Sequence, residues 1–251
     1  MAPDAGKAGF DRVARLYSWL EYLAFGRQLE RCRSAQMPSM LHARHALVLG
    51  DGDGRFTTQL LRRNPTVHVV AIDASPAMLA LLAARVQRAG ASARVTLLAG
   101  DVVALLGSTS PPPPLHCAPG DRFDLLVSHF LLDCLSPDEV TSLVAGVLPL
   151  VVPGTPWVIS EFATPSPWTR LVVHVLYRSF RLLASLRVQR IPPYQQALRQ
   201  QGFVPAAHRR LLGGLLCSSV WLAPAASSPP LGAVQPTRQS NHPVPRPLPH
   251  A

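Results

Sequence analysis

Three glycines at alternate positions, Gly50, Gly52 and Gly54, enclose two carboxylates, Asp51 and Asp53. Further acids end two later apolar runs: Asp73 follows Val67–Ile72, and Asp101 follows Arg94–Ala99 and Gly100. Glycine has no Cβ, so such a loop turns sharply and lets a ligand approach the backbone. A carboxylate at a strand end accepts a pair of hydroxyls or an amino group and needs no phosphate. A dinucleotide fingerprint would require glycine where Arg55 stands. Two like charges ~4 Å apart repel by roughly 4 kcal/mol at an effective dielectric of ~20. Carboxylates in the loop therefore oppose the pyrophosphate that a helix N-terminus otherwise attracts. The cradle suits a ligand without phosphate and with a positive charge. Beyond it, Ser128-His129-Phe130-Leu131-Leu132-Asp133 offers a base candidate in His129, since imidazole titrates near neutral pH. Asp133 is expected either to orient a base or, the favoured reading, to sit at a surface turn. Glu161 is expected either to line a substrate pocket or to be a solvated strand end.

Strands and helices alternate around these residues. Ala46–Leu49 is a short buried strand, and Phe56 begins a helical pattern that Asn64-Pro65 ends. Val67–Ile72 is a second strand, followed by Ser75 as N-cap and Pro76 at the first helical position. Arg94–Ala99 and Phe123–Ser128 read as strands three and four. Ser136-Pro137-Asp138-Glu139 is a capping box opening a helix to about Leu148. Trp157–Glu161 reads as strand five. Phe203–Leu212 and Leu215–Ala223 form a hairpin about Gly213-Gly214. This predicts an α/β protein, a Rossmann-like, mostly parallel sheet with an antiparallel last strand and helices on both faces. Ligands of such sheets bind at the carboxyl ends of the strands.

The flanking organisation is also legible. Residues 1–9 are expected to be disordered, 10–223 to form the domain and 224–251 a disordered Pro-rich tail. Within the domain, 10–40 reads as a helical lid and 108–120 as a surface loop in extended polyproline geometry. Residues 165–190 read as an apolar substrate-side helix. Its 168–187 portion, which includes Arg170, Arg178, Arg181 and Arg187, could also rest on a membrane surface.

At this point the sequence resembles the class I S-adenosyl-L-methionine (SAM)-dependent methyltransferases. Residues 48–54 look like the family's first motif, Ala71-Ile72-Asp73 like its second and Gly100-Asp101 like its adenine-side motif. Phe123–Ser128 resembles the motif leading into strand four, and Gly202-Phe203 with the hairpin also fits. The resemblance implies a seven-stranded sheet, SAM as cofactor, and a cofactor site of Gly50, Asp51, Gly52, Asp53, Gly54, Asp73, Ala74, Asp101, Val102 and Ser128. Phe10-Asp11-Arg12-Val13-Ala14-Arg15-Leu16-Tyr17 is similar to the opening of the ubiquinone/menaquinone C-methyltransferase-like branch, which adds Tyr17 to His129 as a catalytic candidate. The family usually carries an acid where Val48 stands. The Asn/Asp-Pro-Pro-Tyr motif of amino-directed methyltransferases is absent after strand four. An apolar or aromatic small-molecule acceptor, quinone-like or lipid-like, methylated on oxygen or carbon, is therefore expected. The alternatives are a non-catalytic SAM-fold regulatory protein and an RNA methyltransferase.

Composition narrows the classes further. The formal charge is +10, yet no block of Lys/Arg is longer than a pair, so nucleic acid is an unexpected partner. Cys32, Cys117, Cys134 and Cys217 are far apart, and no His/Cys cluster has metal-ligand spacing, so no metal is expected. Buried thiols and the lack of a secretory signal lead to an expected cytoplasmic location, or one peripheral to the inner membrane through 168–187.

Overall fold

The computed structural model describes residues 27–108, 112–115, 122–165, 169 and 192–225. Tyr17, residues 1–9, residues 10–26 of the expected lid, residues 226–251 of the expected tail and nearly all of the expected 165–190 helix lie outside these residues.

Seven strands form one sheet in the order β3-β2-β1-β4-β5-β7-β6. They are β1 (His45–Leu49), β2 (His68–Asp73), β3 (Val95–Ala99), β4 (Leu125–His129), β5 (Pro156–Phe162), β6 (Val204–Leu211) and β7 (Leu216–Leu222). β1 to β5 pair in parallel, whereas β7 runs antiparallel to both of its neighbours. The expected mostly parallel sheet with an antiparallel last strand is thus present. Strand order reverses beside β1, where the glycine loop leaves the sheet.

Each central strand is apolar on both faces, as a parallel strand covered by helices requires. Leu47, Leu49, Leu126, Trp157 and Ile159 point to one face, packed with Val140, Leu143, Val144, Leu198 and Phe203. Ala46, Val48, Leu125, Val127 and Val158 point to the other, packed with Phe56, Leu60, Leu82 and Val86. The helices are α1 (Arg27–Ser34), α2 (Arg55–Arg63), α3 (Pro76–Arg88), α4 (Val102–Leu106), α5 (Pro137–Val147) and α6 (Tyr194–Gln200). Ser75 caps α3 by accepting from Met78 N, and the capping box of Ser136 and Glu139 opens α5. None of the described helices is long and apolar enough to cross a membrane.

The structure corrects four local expectations. Pro113–Leu115 is a 3-10 turn, and Leu115 is buried in the core, because an apolar side chain there fills the space beside Phe123 and α5. Asp133 is buried rather than at a surface turn, and Glu161 is wholly buried rather than a solvated strand end. The hairpin turn is longer than two residues: Leu212–Gly214 is a 3-10 turn with Leu212, Gly213 and Gly214 all at positive φ.

Candidate functional site

The glycine spacing is used in full by the backbone. Gly50, Gly52 and Gly54 have φ of 66°, 63° and 77°, the left-handed region that L side chains enter at a cost of roughly 1–2 kcal/mol. Their surroundings differ. A Cβ on Gly54 would stand 2.5 Å from Leu82 Cγ and 2.9 Å from Leu82 Cα, and one on Gly50 3.0 Å from Leu131 Cδ1. A Cβ on Gly52 would meet nothing within 4 Å. Gly54 is therefore a packing glycine that brings α2 onto α3, and Gly52 is the one that faces open space.

The two loop acids are used by the protein itself. Asp51 Oδ2 accepts from Thr57 N at 2.9 Å, capping α2, whose N-cap residue Gly54 has no side chain to do so. Burial pushes the Asp51 carboxyl up to about 6, opposed by its bonds to Thr57. Asp53 Oδ2 accepts from Arg55 Nε at 2.9 Å and Arg85 at 2.8 Å, and Arg55 also reaches Glu30 at 3.3 Å. Two guanidinium groups thus offset the Asp53 charge. Val48 is buried in the core on the α2–α3 face, so no acid stands at the family's usual position.

The acids at the next two strand ends keep free valences toward the cleft. Asp73 Oδ2 accepts from Gly52 N at 3.0 Å and Oδ1 from Ser75 N at 2.9 Å, so the carboxylate ties the cradle to the start of α3. Burial raises its pKa, and those two bonds oppose the rise. Each oxygen retains a lone pair for a further donor. Asp101 caps α4, with Oδ1 accepting from Val103 N at 2.8 Å and Ala104 N at 2.9 Å, and it is exposed. Its Oδ2 has no partner among the described residues. Ala74 is exposed between them, whereas the Val102 side chain is buried in the core. Ser128 is fully buried between β1 and β5 and its hydroxyl accepts from Trp157 Nε1 at 3.0 Å, so as placed it offers a cofactor no exposed group.

His129 lies apart from these groups. It is 3% exposed, its ring meets Phe56 edge-on at 4.4 Å, and neither ring nitrogen has a hydrogen-bond partner among the described residues. Burial, then the nearby Arg33 charge, pushes its pKa well down, which keeps the ring neutral. As placed, it is a packing residue of the α2 face. His129→Leu is expected to leave the melting temperature unchanged or raised, since it removes two unpaired buried nitrogens that cost about 1–3 kcal/mol. Thermal unfolding with single-turnover methylation checks this. Lost turnover at unchanged stability would restore the imidazole as a base.

Sequence reasoning named the segment after β4 but not the contacts that hold it. Phe130 has a φ of 55°, uncommon for a bulky residue, and its N donates to Ser160 O at 2.7 Å. Glu161 Oε1 accepts from Leu131 N at 3.3 Å and Leu132 N at 2.9 Å. The available signal was a single acid ending the otherwise apolar run Trp157–Ser160.

The site fits SAM. The open face of Gly52 is a cradle that a Cβ would fill, Asp73 can take the ribose hydroxyls and the exposed Asp101 the adenine amino group. A seven-stranded sheet of this order with a glycine loop at its reversal agrees with the resemblance to the class I SAM-dependent methyltransferases, whose cofactor is SAM. Residues 46–154 match the family described as Methyltransf_25, a methyltransferase domain. The matched residues begin in β1, run past β4 and hold the glycine loop, Asp73 and Asp101.

Solved structures share the fold. An O-methyltransferase family protein from Burkholderia thailandensis is 13% identical, with a TM-score of 0.60 over 80% of this chain and 60% of that one. An O-methyltransferase family 2 protein from Planctomyces limnophilus, in complex with apigenin, is 18% identical, with a TM-score of 0.62 over 83% of this chain and 61% of that one. The N-methyltransferase NodS from Bradyrhizobium japonicum, in complex with S-adenosyl-L-homocysteine (SAH), is 15% identical, with a TM-score of 0.52 over 80% and 88%. The chain spans about 60% of the length of the first two. No curated protein matches the sequence.

Proposed function

We propose that this protein transfers the methyl group of SAM to oxygen or carbon of an apolar or aromatic small molecule, quinone-like or lipid-like. The observation that carries the reading is the open left-handed Gly52, tied by its amide to Asp73 with Asp101 at the next strand end. The cofactor supplies a methyl already activated by a positive sulfur, so the protein's task is chiefly to position the acceptor and exclude water. An aromatic acceptor is supported by the Planctomyces neighbour's complex with apigenin. The buried Val48 favours a second reading, a SAM-binding regulatory protein without turnover, because it removes a charge from the cofactor side.

Calorimetric titration with SAM, SAH and NAD, followed by methylation assays on phenols and quinols, tests both. Binding of SAM and SAH but not NAD, with methyl transfer to a phenol or quinol, is the expected result. SAM binding with no transfer to any acceptor would favour the regulatory reading. Absence of SAM and SAH binding would overturn both.

A further inference from the structure

The amino ends of β1 and β2, at the far end of the sheet from the glycine loop, carry cations that the cofactor site does not use. Arg44, His45 and His68 are exposed there. The two strands start in register: His68 N donates to Arg44 O at 2.7 Å, and the rings of His45 and His68 meet edge-on at 6.2 Å. The end of α2 is pinned to the same place. Asn64, buried just past that helix, donates through Nδ2 to Met40 O at 3.3 Å and Ala43 O at 2.8 Å. The preceding Arg62 and Arg63, both exposed, are thereby brought to the turn that carries the exposed Leu41 and His42. The base beneath them is firm. Asn64 Oδ1 accepts from Thr66 N and Val67 N at 3.1 Å, and Arg94 donates to the carbonyls of Leu61, Asn64 and Val67.

Three guanidinium groups and three imidazoles thus share one face. None of the six makes an ion pair among the described residues, whereas Arg55 and Arg85 beside the cofactor loop are matched by acids. Asp124 is the one carboxylate bonded to this face among the described residues. Its oxygens accept from the backbone amides of Arg44 and His45 at 2.8–3.0 Å, so it is spent on the main chain and its single charge leaves the face positive.

We infer that this face docks an acidic segment of a partner protein. Leu41, 38% exposed, adds an apolar contact among the cations, and arginine is enriched in protein interfaces. A second copy of this chain is a poor complement, since it carries 24 Lys and Arg against 14 Asp and Glu. Single-stranded nucleic acid stacks its bases on aromatic side chains, and the described residues of this face include no Phe, Tyr or Trp. A bilayer against the amino ends of the strands would hold the cofactor cleft, at their carboxyl ends, away from the lipid that dissolves an apolar acceptor. An acidic protein segment meets neither objection and leaves the cleft open. Exposed ion pairs are weak singly and screened by salt, so the docking is salt-dependent.

The test uses poly-L-glutamate as the probe and the full chain, by calorimetry at low and high salt. Arg62→Gln/Arg63→Gln on this face is compared with Arg209→Gln/Arg210→Gln, which removes the same charge from exposed positions of β6. Wild type is expected to bind at low salt and release at high salt. The Arg62/Arg63 pair should weaken binding by about tenfold, the effect of losing two exposed ion pairs. The β6 pair should weaken it far less, and both variants should keep their SAH affinity. Arg44→Gln/His68→Gln repeats the comparison from the strand side, so a disturbed α2 end does not hide the result. Equal weakening by the Arg62/Arg63 and β6 pairs would reduce the effect to net charge and overturn the docking face, as would no binding by wild type at low salt. Tighter binding of poly(U) or of phosphatidylglycerol vesicles through the same arginines would give the face to nucleic acid or membrane and overturn the acidic protein partner.

Discussion

Gly54→Ala is expected to lower the melting temperature by about 5–15 °C, at about 2–4 °C per kcal/mol for a domain of this size. Two costs combine. The left-handed φ of 77° costs an L residue roughly 1–2 kcal/mol. The new methyl would stand 2.5 Å from Leu82 Cγ and 2.9 Å from Leu82 Cα, and forcing a methyl into a packed interface costs about 1–3 kcal/mol more. The backbone contact decides the size of the effect, because Leu82 Cγ can rotate but its Cα moves only with α3. Gly52→Ala is the control. Its φ of 63° carries the same strain, but nothing lies within 4 Å. It should lose no more than about 2 kcal/mol of stability while its methyl occupies the cradle and blocks SAH. Thermal unfolding and calorimetry on the two variants separate a packing glycine from a ligand glycine. A Gly54→Ala protein as stable as wild type would show that α3 can shift away from the loop.

The alternation of apolar runs with capped helices made the sheet legible, because parallel strands and their crossovers leave a local pattern. Gly50, Gly52, Gly54, Asp73 and Asp101 were legible for the same reason, as each sits at a strand end whose position the pattern gives. The partners were not. Asp53 is matched by Arg85, 32 residues later on another helix, and only the packing of α2 on α3 brings them together. Asp51 looked like a charge offered to a ligand, but Gly54 leaves α2 without a cap and Asp51 supplies one. His129 looked reactive by its type and place after a strand. Strand alternation turns it to the Phe56 side, away from Ser128 on the other face. Glu161 was read as lining a pocket or as a solvated strand end, and the amides of Leu131 and Leu132 that its carboxylate holds lie about 30 residues earlier in the chain.

Asp73→Ala is expected to weaken SAH binding by at least about 100-fold. Two hydrogen bonds from ribose hydroxyls to a carboxylate contribute about 1.5–3 kcal/mol each, and ~2.7 kcal/mol corresponds to a hundredfold in affinity. The same change frees Gly52 N and Ser75 N, so the cradle loses its tie to α3 as well. Asp73→Asn separates these effects: its amide oxygen still accepts from one amide, and binding should fall by only about tenfold. The pH dependence gives an independent signature. Burial raises the Asp73 pKa in the free protein, and ligand hydroxyls favour the charged form, so binding lowers it. Affinity is therefore complete above the raised ionisation and declines as the pH falls through it, in wild type but not in Asp73→Asn. Any acid-side decline left in Asp73→Asn reports Asp51, which titrates at about 6 beside the same loop. Unchanged SAH affinity in Asp73→Ala would remove the ribose contact from the site and with it the assignment of the β2 end to the cofactor.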